Sequence, residues 1–414
     1  MENGRWHSGL AIFHLRSSTR RARDSIGLPA LNSSTLRQVL VFPPPILHPA
    51  LGTWPLRPHT AGVIDSDAKL AAFLPTVRAA AWIVVDTEAD SLHAYPEKVC
   101  LIQITTVAGD ELVDPLAPIN LDALLDALNA HQLIMHGADY DLRLLRKHHE
   151  FVPSAIFDTM LAARLLGERQ FGLGALVEKF LGVKLEKGSQ KANWARRPLT
   201  ERMEAYARND THYLKAVADR LKSELAAKGR LAWHEESCAR LIDDCTRVRP
   251  PDLDFVWRVK GSFKLSRPAL AVLRELWQWR ETEALAANRP PFFVLSHELL
   301  VTLADAAAAH QPVEPLVPHH VSERRRAGLS AAIQAGLKVP PAEHPEIPRN
   351  RTHRPSEPER RRFLDLERRR DSRANEIGVD ATLIASRATL GDLAHDWNAH
   401  AGELMNWQRE LLRP

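Results

Sequence analysis

Cysteine is scarce in this 414-residue chain: Cys100, Cys238 and Cys245 are widely spaced and never form a C-x-x-C. An odd, scattered set of thiols excludes a disulfide framework and a structural zinc site, and is the usage of a reducing compartment, read here as the cytoplasm. Long apolar runs are missing too. No stretch approaches the roughly 18–20 residues of a membrane-spanning helix. A strong charge surplus is also lacking, since 55 Lys and Arg face 51 Asp and Glu for a net +4. The pI near 9.0 suggests affinity for polyanions, but the excess is local. Residues 1–62 hold seven Arg against Glu2 and Asp24, which leaves 48 bases against 49 acids in residues 63–414. Attraction to a polyanion must therefore come from particular sites in a balanced body.

What is present is ordinary globular material, 45% hydrophobic and 26% charged, which excludes a disordered or fibrous chain. At this length there is room for two or three domains. The first 62 residues differ, being rich in Arg, Ser and Pro with the irregular stretch FPPPILHP at 42–49. They are expected not to fold. They fit a stretch upstream of a true start near Val63, a functional tail, or an organelle transit peptide. From Ala61 onward AGVIDSDAKLAAFLPTVRAAA predicts an amphipathic helix capped by Asp65 or Ser66.

Strands are expected at 81–86, 99–107 and 110–115. LDALLDALNA then predicts a helix and LIMHGA a strand, and DYDLRLLRKHH, FDTMLAARLLG and FGLGALVEKFLG predict helices. A long helix capped by Thr200 is expected to run to Gly229. This order implies an α/β domain with a mixed sheet over residues 63–230. After a connecting stretch at 247–255 the strand signal disappears. A helical segment broken at Pro290 and Pro291 is echoed further on at a constant offset of 90. Arg280, Ala284, Ser296, Leu300, Leu303 and Ala304 recur as Arg370, Ala374, Ser386, Leu390, Leu393 and Ala394. Two related helical domains are expected, at 260–338 and 355–414.

The sharpest chemical feature is a set of carboxylates. Asp86 and Glu88 are two apart at the end of a strand, so they point to the same side. Asp139 and Asp141 open the helix after LIMHGA, where either one also suits a cap. Asp210 follows Tyr206 by one helical turn, on one face. Converging oxygen donors without His or Cys suit hard divalent cations, which favour phosphate as a further ligand. Two such ions roughly 4 Å apart support phosphodiester hydrolysis.

VVDTEADSLHAYPEKVCLIQI, HGADYDLRLL and YARNDTHYL resemble the three motifs of the DEDD exonucleases, in the subclass whose third motif is Tyr-x-x-x-Asp. WARRPLTERMEAYARNDTHYL is similar to the corresponding stretch of the ribonuclease D family, and LRELWQWRETEALAANRPPFFVLSHELLVTLA resembles its helical HRDC module. The resemblance spans about residues 63–395. It implies a ribonuclease H-like α/β exonuclease domain with a mixed sheet, followed by two small all-α HRDC-type domains. It also implies a 3′–5′ exoribonuclease that uses two Mg²⁺ or Mn²⁺ ions, releases nucleoside 5′-monophosphates and matures tRNA 3′ ends.

Carried onto this chain, the motifs make Asp86, Glu88, Asp141 and Asp210 the metal ligands, with Asp141 preferred over Asp139, and make Tyr206 the residue that orients the attacking water. His136, Trp194 and Arg197 are the expected substrate contacts, with Lys191 and Arg196 in the same basic patch. The expected partner is RNA with a single-stranded 3′ end, bound by a monomer away from any membrane. Arg208 departs from the motif, which usually has a small residue there. A DNA exonuclease and a non-enzymatic RNA-binding protein are the competing readings.

Overall fold

The computed structural model describes residues 62–413 apart from 187, 249, 251 and 348–354. The segment expected to be unfolded lies, but for Gly62, outside the described residues. Helix α1 (Asp67–Ala79) is capped by Ser66, whose hydroxyl accepts from the Lys69 N–H, which decides between the two candidate caps. Strands β1 (Ile83–Ala89), β2 (Val99–Thr106) and β3 (Gly109–Val113) form an antiparallel meander. Helix α2 (Asp122–Asn129) leads to β4 (Gln132–Met135), and α3 (Asp139–His149) leads to β5 (Ala155–Asp158). Both of these strands run parallel to β1, so the five-stranded sheet, ordered β3-β2-β1-β4-β5, is mixed as expected. β1 lies at its centre, and Ile83, Val84 and Val85 are all buried, as a strand covered on both faces requires.

Helices α4 (Thr159–Leu166), α5 (Leu173–Leu181), α6 (Glu201–His212), α7 (Leu214–Ala227) and α8 (Leu231–Thr246) complete the α/β body. Three expectations are corrected here. FDTMLAARLLG is not all helix, because Phe157 and Asp158 end β5 and the helix starts at Thr159. The expected helix from Thr200 to Gly229 is two helices that meet at Tyr213. The end of α6 is held on the β2–β3 hairpin, where Thr211 bonds Thr105 at 2.8 Å and His212 bonds Asp110 at 2.6 Å, whereas α7 packs on α4 and β4. The α/β core also continues past residue 230, since α8 packs on α3 and β5 and buries Cys238 and Cys245 with Leu142 and Leu145.

The helical repeat is reproduced element by element. Helices α9 (Arg267–Ala287), α10 (Pro291–Val294) and α11 (His297–Ala308) are followed by α12 (Glu323–Leu337). Helices α13 (Glu357–Ile377), α14 (Ala381–Ile384) and α15 (Arg387–His395) begin 90 residues after α9, α10 and α11, and end with α16 (Trp397–His400) and α17 (Asn406–Leu412). Ser266 and Ser356 cap equivalent helices, as do Ser296 and Ser386. Arg280 donates to the Leu295 carbonyl at 3.4 Å and Arg370 to the Ala385 carbonyl at 3.3 Å, again 90 residues apart.

The two copies meet the nuclease body differently. The first keeps an apolar core of its own, around Leu270, Leu273, Leu276, Leu300 and Leu303. Its polar contacts to the loop after β1 run from Tyr95, whose hydroxyl donates to Glu281 and whose N–H donates to Asn288 Oδ1 at 3.2 Å. The second shares one continuous core with α4 and α7, in which Ile384, Leu390 and Leu393 join Leu165, Leu214 and Leu221. Trp407 stacks on Trp233 at 5.1 Å between centroids, and Asn406 N–H donates to Glu236 at 2.7 Å.

Candidate active site

β1 runs three residues beyond its expected end, so Asp86 and Glu88 both lie within it and share a face by strand alternation. Their cross-strand partners on β2 are Gln103 and Leu101. Helix α6 covers this face, burying Met203 and Ala207 against Leu101 and Leu112. Thr200 starts the helix by accepting from the Met203 N–H at 3.2 Å. The same helix delivers Tyr206 and Asp210 to the site, joined by a hydrogen bond between phenol and carboxylate. Asp141 comes from the first turn of α3, is buried, and accepts from the Thr87 hydroxyl. Asp139 is exposed instead and pairs with Arg143 at 3.0 Å. The geometry therefore separates the two acids that the sequence left side by side.

The entry to α3 is fixed by two residues that the sequence reading missed. Gly137 has φ +67°, and a Cβ there would lie 2.8 Å from the Met160 methyl. Asp158, fully buried, accepts from Ala138 N–H at 2.8 Å and from Met160 and Leu161 N–H at 2.8 and 2.9 Å. It ties the starts of α3 and α4 together where the parallel strands end, and so sets where Asp141 points. Its signal was an Asp-Thr pair ahead of an apolar run, an N-cap pattern hidden by starting the helix at Phe157.

Burial and mutual repulsion mark the four carboxylates as one electrostatic unit. Burial pushes Asp86 well above the usual carboxylate range, and the charges of Asp141, Asp210 and Glu88 push it further. Glu88 rises to about 9, first through burial and then through Asp210 and Asp141. Burial lifts Asp141 and Asp210 to about 6 each, against hydrogen bonds from Thr87 and Tyr206 that lower them. Among the described residues no three His, Cys, Asp or Glu side chains close on a single point as a ready ligand cage. The four carboxyls act on one another across a shared region rather than converge to contact.

The sign of the resulting pH effect follows directly. Each folded pKa lies above its unfolded value of 3.8 or 4.5, so the folded protein in EDTA holds protons that the unfolded chain has released. That stabilisation is complete below about pH 4 and is lost as pH rises through about 6 and then about 9. The melting temperature in EDTA is expected to fall across this window, and MnCl₂ to flatten the slope. A melting temperature in EDTA that climbed from about pH 5 to about pH 9 would contradict the site electrostatics.

Tyr206 holds its proton firmly, because burial and the charges of Asp210 and Glu88 raise its ionisation far above the ordinary phenol value. The Gln190 side chain hydrogen-bonds the phenol. Gly188 lies so close that a Cβ there would meet the Tyr206 ring at 2.8 Å. The segment before Trp194 thus wraps the tyrosine.

Two expected substrate contacts are corrected. Trp194 is 0% exposed, lies among Cys100, Leu101, Met203 and Ala207, and packs 6.1 Å from the Tyr206 ring. It supports α6 from beneath and has no face for a base to stack on. Arg197 is engaged within the protein. Its guanidinium forks onto Asp114 at 2.5 and 2.6 Å and reaches the carbonyls of Trp194 and Cys100, each at 2.7 Å. Arg208 neither meets substrate nor points outward; it is buried and donates to the Asp110 carbonyl, bracing α6 on β3. Lys191 and Arg196 remain exposed. His136 is half-buried at the end of β4, with Nδ1 2.8 Å from the Thr159 hydroxyl.

A family profile described as 3′-5′ exonuclease matches residues 62–226, and one described as HRDC domain matches residues 269–310. Ribonuclease D of Nitrobacter hamburgensis is 30% identical over 364 residues, covering 84% of this chain and 92% of that protein. The chain belongs to the ribonuclease D family. Ribonuclease D of Jannaschia sp. is 29% identical over 353 residues, covering 81% of this chain and 89% of that one. The solved structure of Escherichia coli RNase D, described as an exoribonuclease involved in structured RNA processing, superposes with a TM-score of 0.66 at 25% identity, covering 85% of this chain and 96% of that one. The chain is a hydrolytic 3′–5′ exoribonuclease, and its family implies dependence on a divalent metal. No described helix is long and apolar enough to cross a membrane.

Proposed function

We propose that Asp86, Glu88, Asp141 and Asp210 hold two divalent cations, Mg²⁺ or Mn²⁺. We further propose that the enzyme, a cytoplasmic monomer, trims single-stranded 3′ ends of structured RNAs, tRNA precursors in particular, to nucleoside 5′-monophosphates. The observation that carries this reading is the gathering of four carboxylates from β1, α3 and α6, Asp141 buried and the other three half-buried, within electrostatic reach of one another beside a protonated tyrosine. An all-oxygen donor set of this charge fits hard cations. Such ions, when bound, supply Lewis acidity to the scissile phosphate and lower the pKa of water.

The chain's own groups orient the reactants. Tyr206 keeps its proton, so its phenol positions the attacking water through a hydrogen bond rather than removing a proton from it. Thr159 donates its hydroxyl proton to the Met135 carbonyl at 3.1 Å, so its oxygen accepts from His136 Nδ1–H. Burial lowers the His136 pKa. Its Nε2 is then a neutral acceptor, suited to a ribose hydroxyl of the terminal nucleotide. Action on structured RNA is supported by the description of the Escherichia coli relative.

The test is hydrolysis of a structured RNA with a 3′ overhang in MnCl₂, beside a matched DNA. Stepwise loss of 5′-monophosphates from the RNA, abolished by EDTA, is expected. Full activity in EDTA, or faster turnover of the DNA, would overturn the reading.

A further inference from the structure

Gln103 sits in the middle of β2, directly across from Asp86 in the antiparallel register. It is 0% exposed, yet neither its Nε2 nor its Oε1 has a hydrogen-bond partner. A buried amide left in that condition is costly, because it gives up its bonds to water and gains none. Nothing in the apolar surroundings offsets this. Leu101, two residues earlier on the same face, is fully buried, and α6 packs the apolar Ala207 into the cluster with Leu101 and Leu112. Thr105, two residues later, is committed to Asp110 and Thr211 at 2.7 and 2.8 Å.

Cross-strand partners share a face with Cβ atoms about 4.5–5.5 Å apart, so the acceptor nearest in register to this amide is the Asp86 carboxylate. We propose that Gln103 is a positioning residue, whose amide donates to the Asp86 carboxylate and orients it while a divalent cation is held. This rests on the reading of the four carboxylates as the cation site. Groups that bond a ligating carboxylate from behind fix its direction, and their loss typically weakens metal binding about 10–100-fold.

The experiment compares wild type with Gln103→Met and Gln103→Leu by thermal unfolding in EDTA and by calorimetric titration with MnCl₂. In EDTA the variants are expected to unfold at the wild-type temperature or above it, because the unpartnered amide is gone. Their Mn²⁺ affinity is expected to fall about 10–100-fold, and kcat at fixed MnCl₂ to fall while KM for RNA stays put. Unchanged Mn²⁺ affinity in both variants overturns the proposal. So does a lower unfolding temperature of both in EDTA, since the amide would then serve the fold itself. A wild type that takes up no Mn²⁺ overturns the carboxylate reading and this proposal with it, whereas binding by wild type and variants alike removes only the role of Gln103.

Discussion

Asp210→Asn is expected to lower the rate of 3′-end hydrolysis by at least about 10³-fold, the equivalent of several kcal/mol at the chemical step, and to leave the protein folded. The substitution keeps the shape of the side chain and removes the charge that a cation requires. Asp210 is also one of the groups whose charge raises Asp86, Glu88 and Tyr206. Removing it relieves that repulsion, so the variant should unfold in EDTA at or above the wild-type temperature near pH 8. Single-turnover rates on an RNA with a 3′ overhang, beside a melting curve, check both halves. A rate within tenfold of wild type would mean that Asp210 takes no part in the chemistry; lost activity together with a lost fold would mean that it is structural.

Arg197→Ala should produce the opposite pattern. The guanidinium holds the mostly buried Asp114 in a two-pronged ion pair and satisfies the carbonyls of Trp194 and Cys100. Truncating it leaves a carboxylate unpaired in a nearly dry place. Because the arginine side chain is 29% exposed, a loss of about 2–4 kcal/mol is expected, toward the low end for a broken buried pair. KM for RNA and kcat on the folded fraction should change less than about twofold, because the guanidinium is committed to Asp114 and to the carbonyls of Trp194 and Cys100. Denaturant titration and steady-state kinetics separate the outcomes. Weaker RNA binding at undiminished stability would return Arg197 to the substrate.

These two side chains show what could be read in the sequence and what could not. The placing of Asp86 with Glu88 on one strand face and of Tyr206 with Asp210 on one helix face was legible because strand and helix periods are local, whereas their joint role rested on the family resemblance. The helical repeat was legible because no residue was gained or lost between equivalent positions of α9 to α11 and α13 to α15. Trp194 and Arg197 misled because an aromatic beside basic residues has the local look of an RNA patch, while the burial of one and the pairing of the other depend on Cys100 and Asp114, which lie 97 and 83 residues before Arg197. β5 is only four residues long, too short for its period to outweigh the helix that follows. The break at Tyr213 leaves the apolar period undisturbed and is imposed by the hairpin that grips Thr211 and His212.

The two helical copies differ in how they belong to the molecule. The later copy is continuous with the interior of the nuclease, and the earlier one closes on itself. In topological terms the earlier copy is an insertion spliced between two parts of one folding unit. The chain must leave the nuclease, complete a separate module, and return before the interior around Leu165 and Leu221 is sealed by Leu390 and Trp407. On a ribosome this orders events: α4 and α7 emerge before the later copy, so the interior they share with it stays unfinished until α13 to α17 have been made.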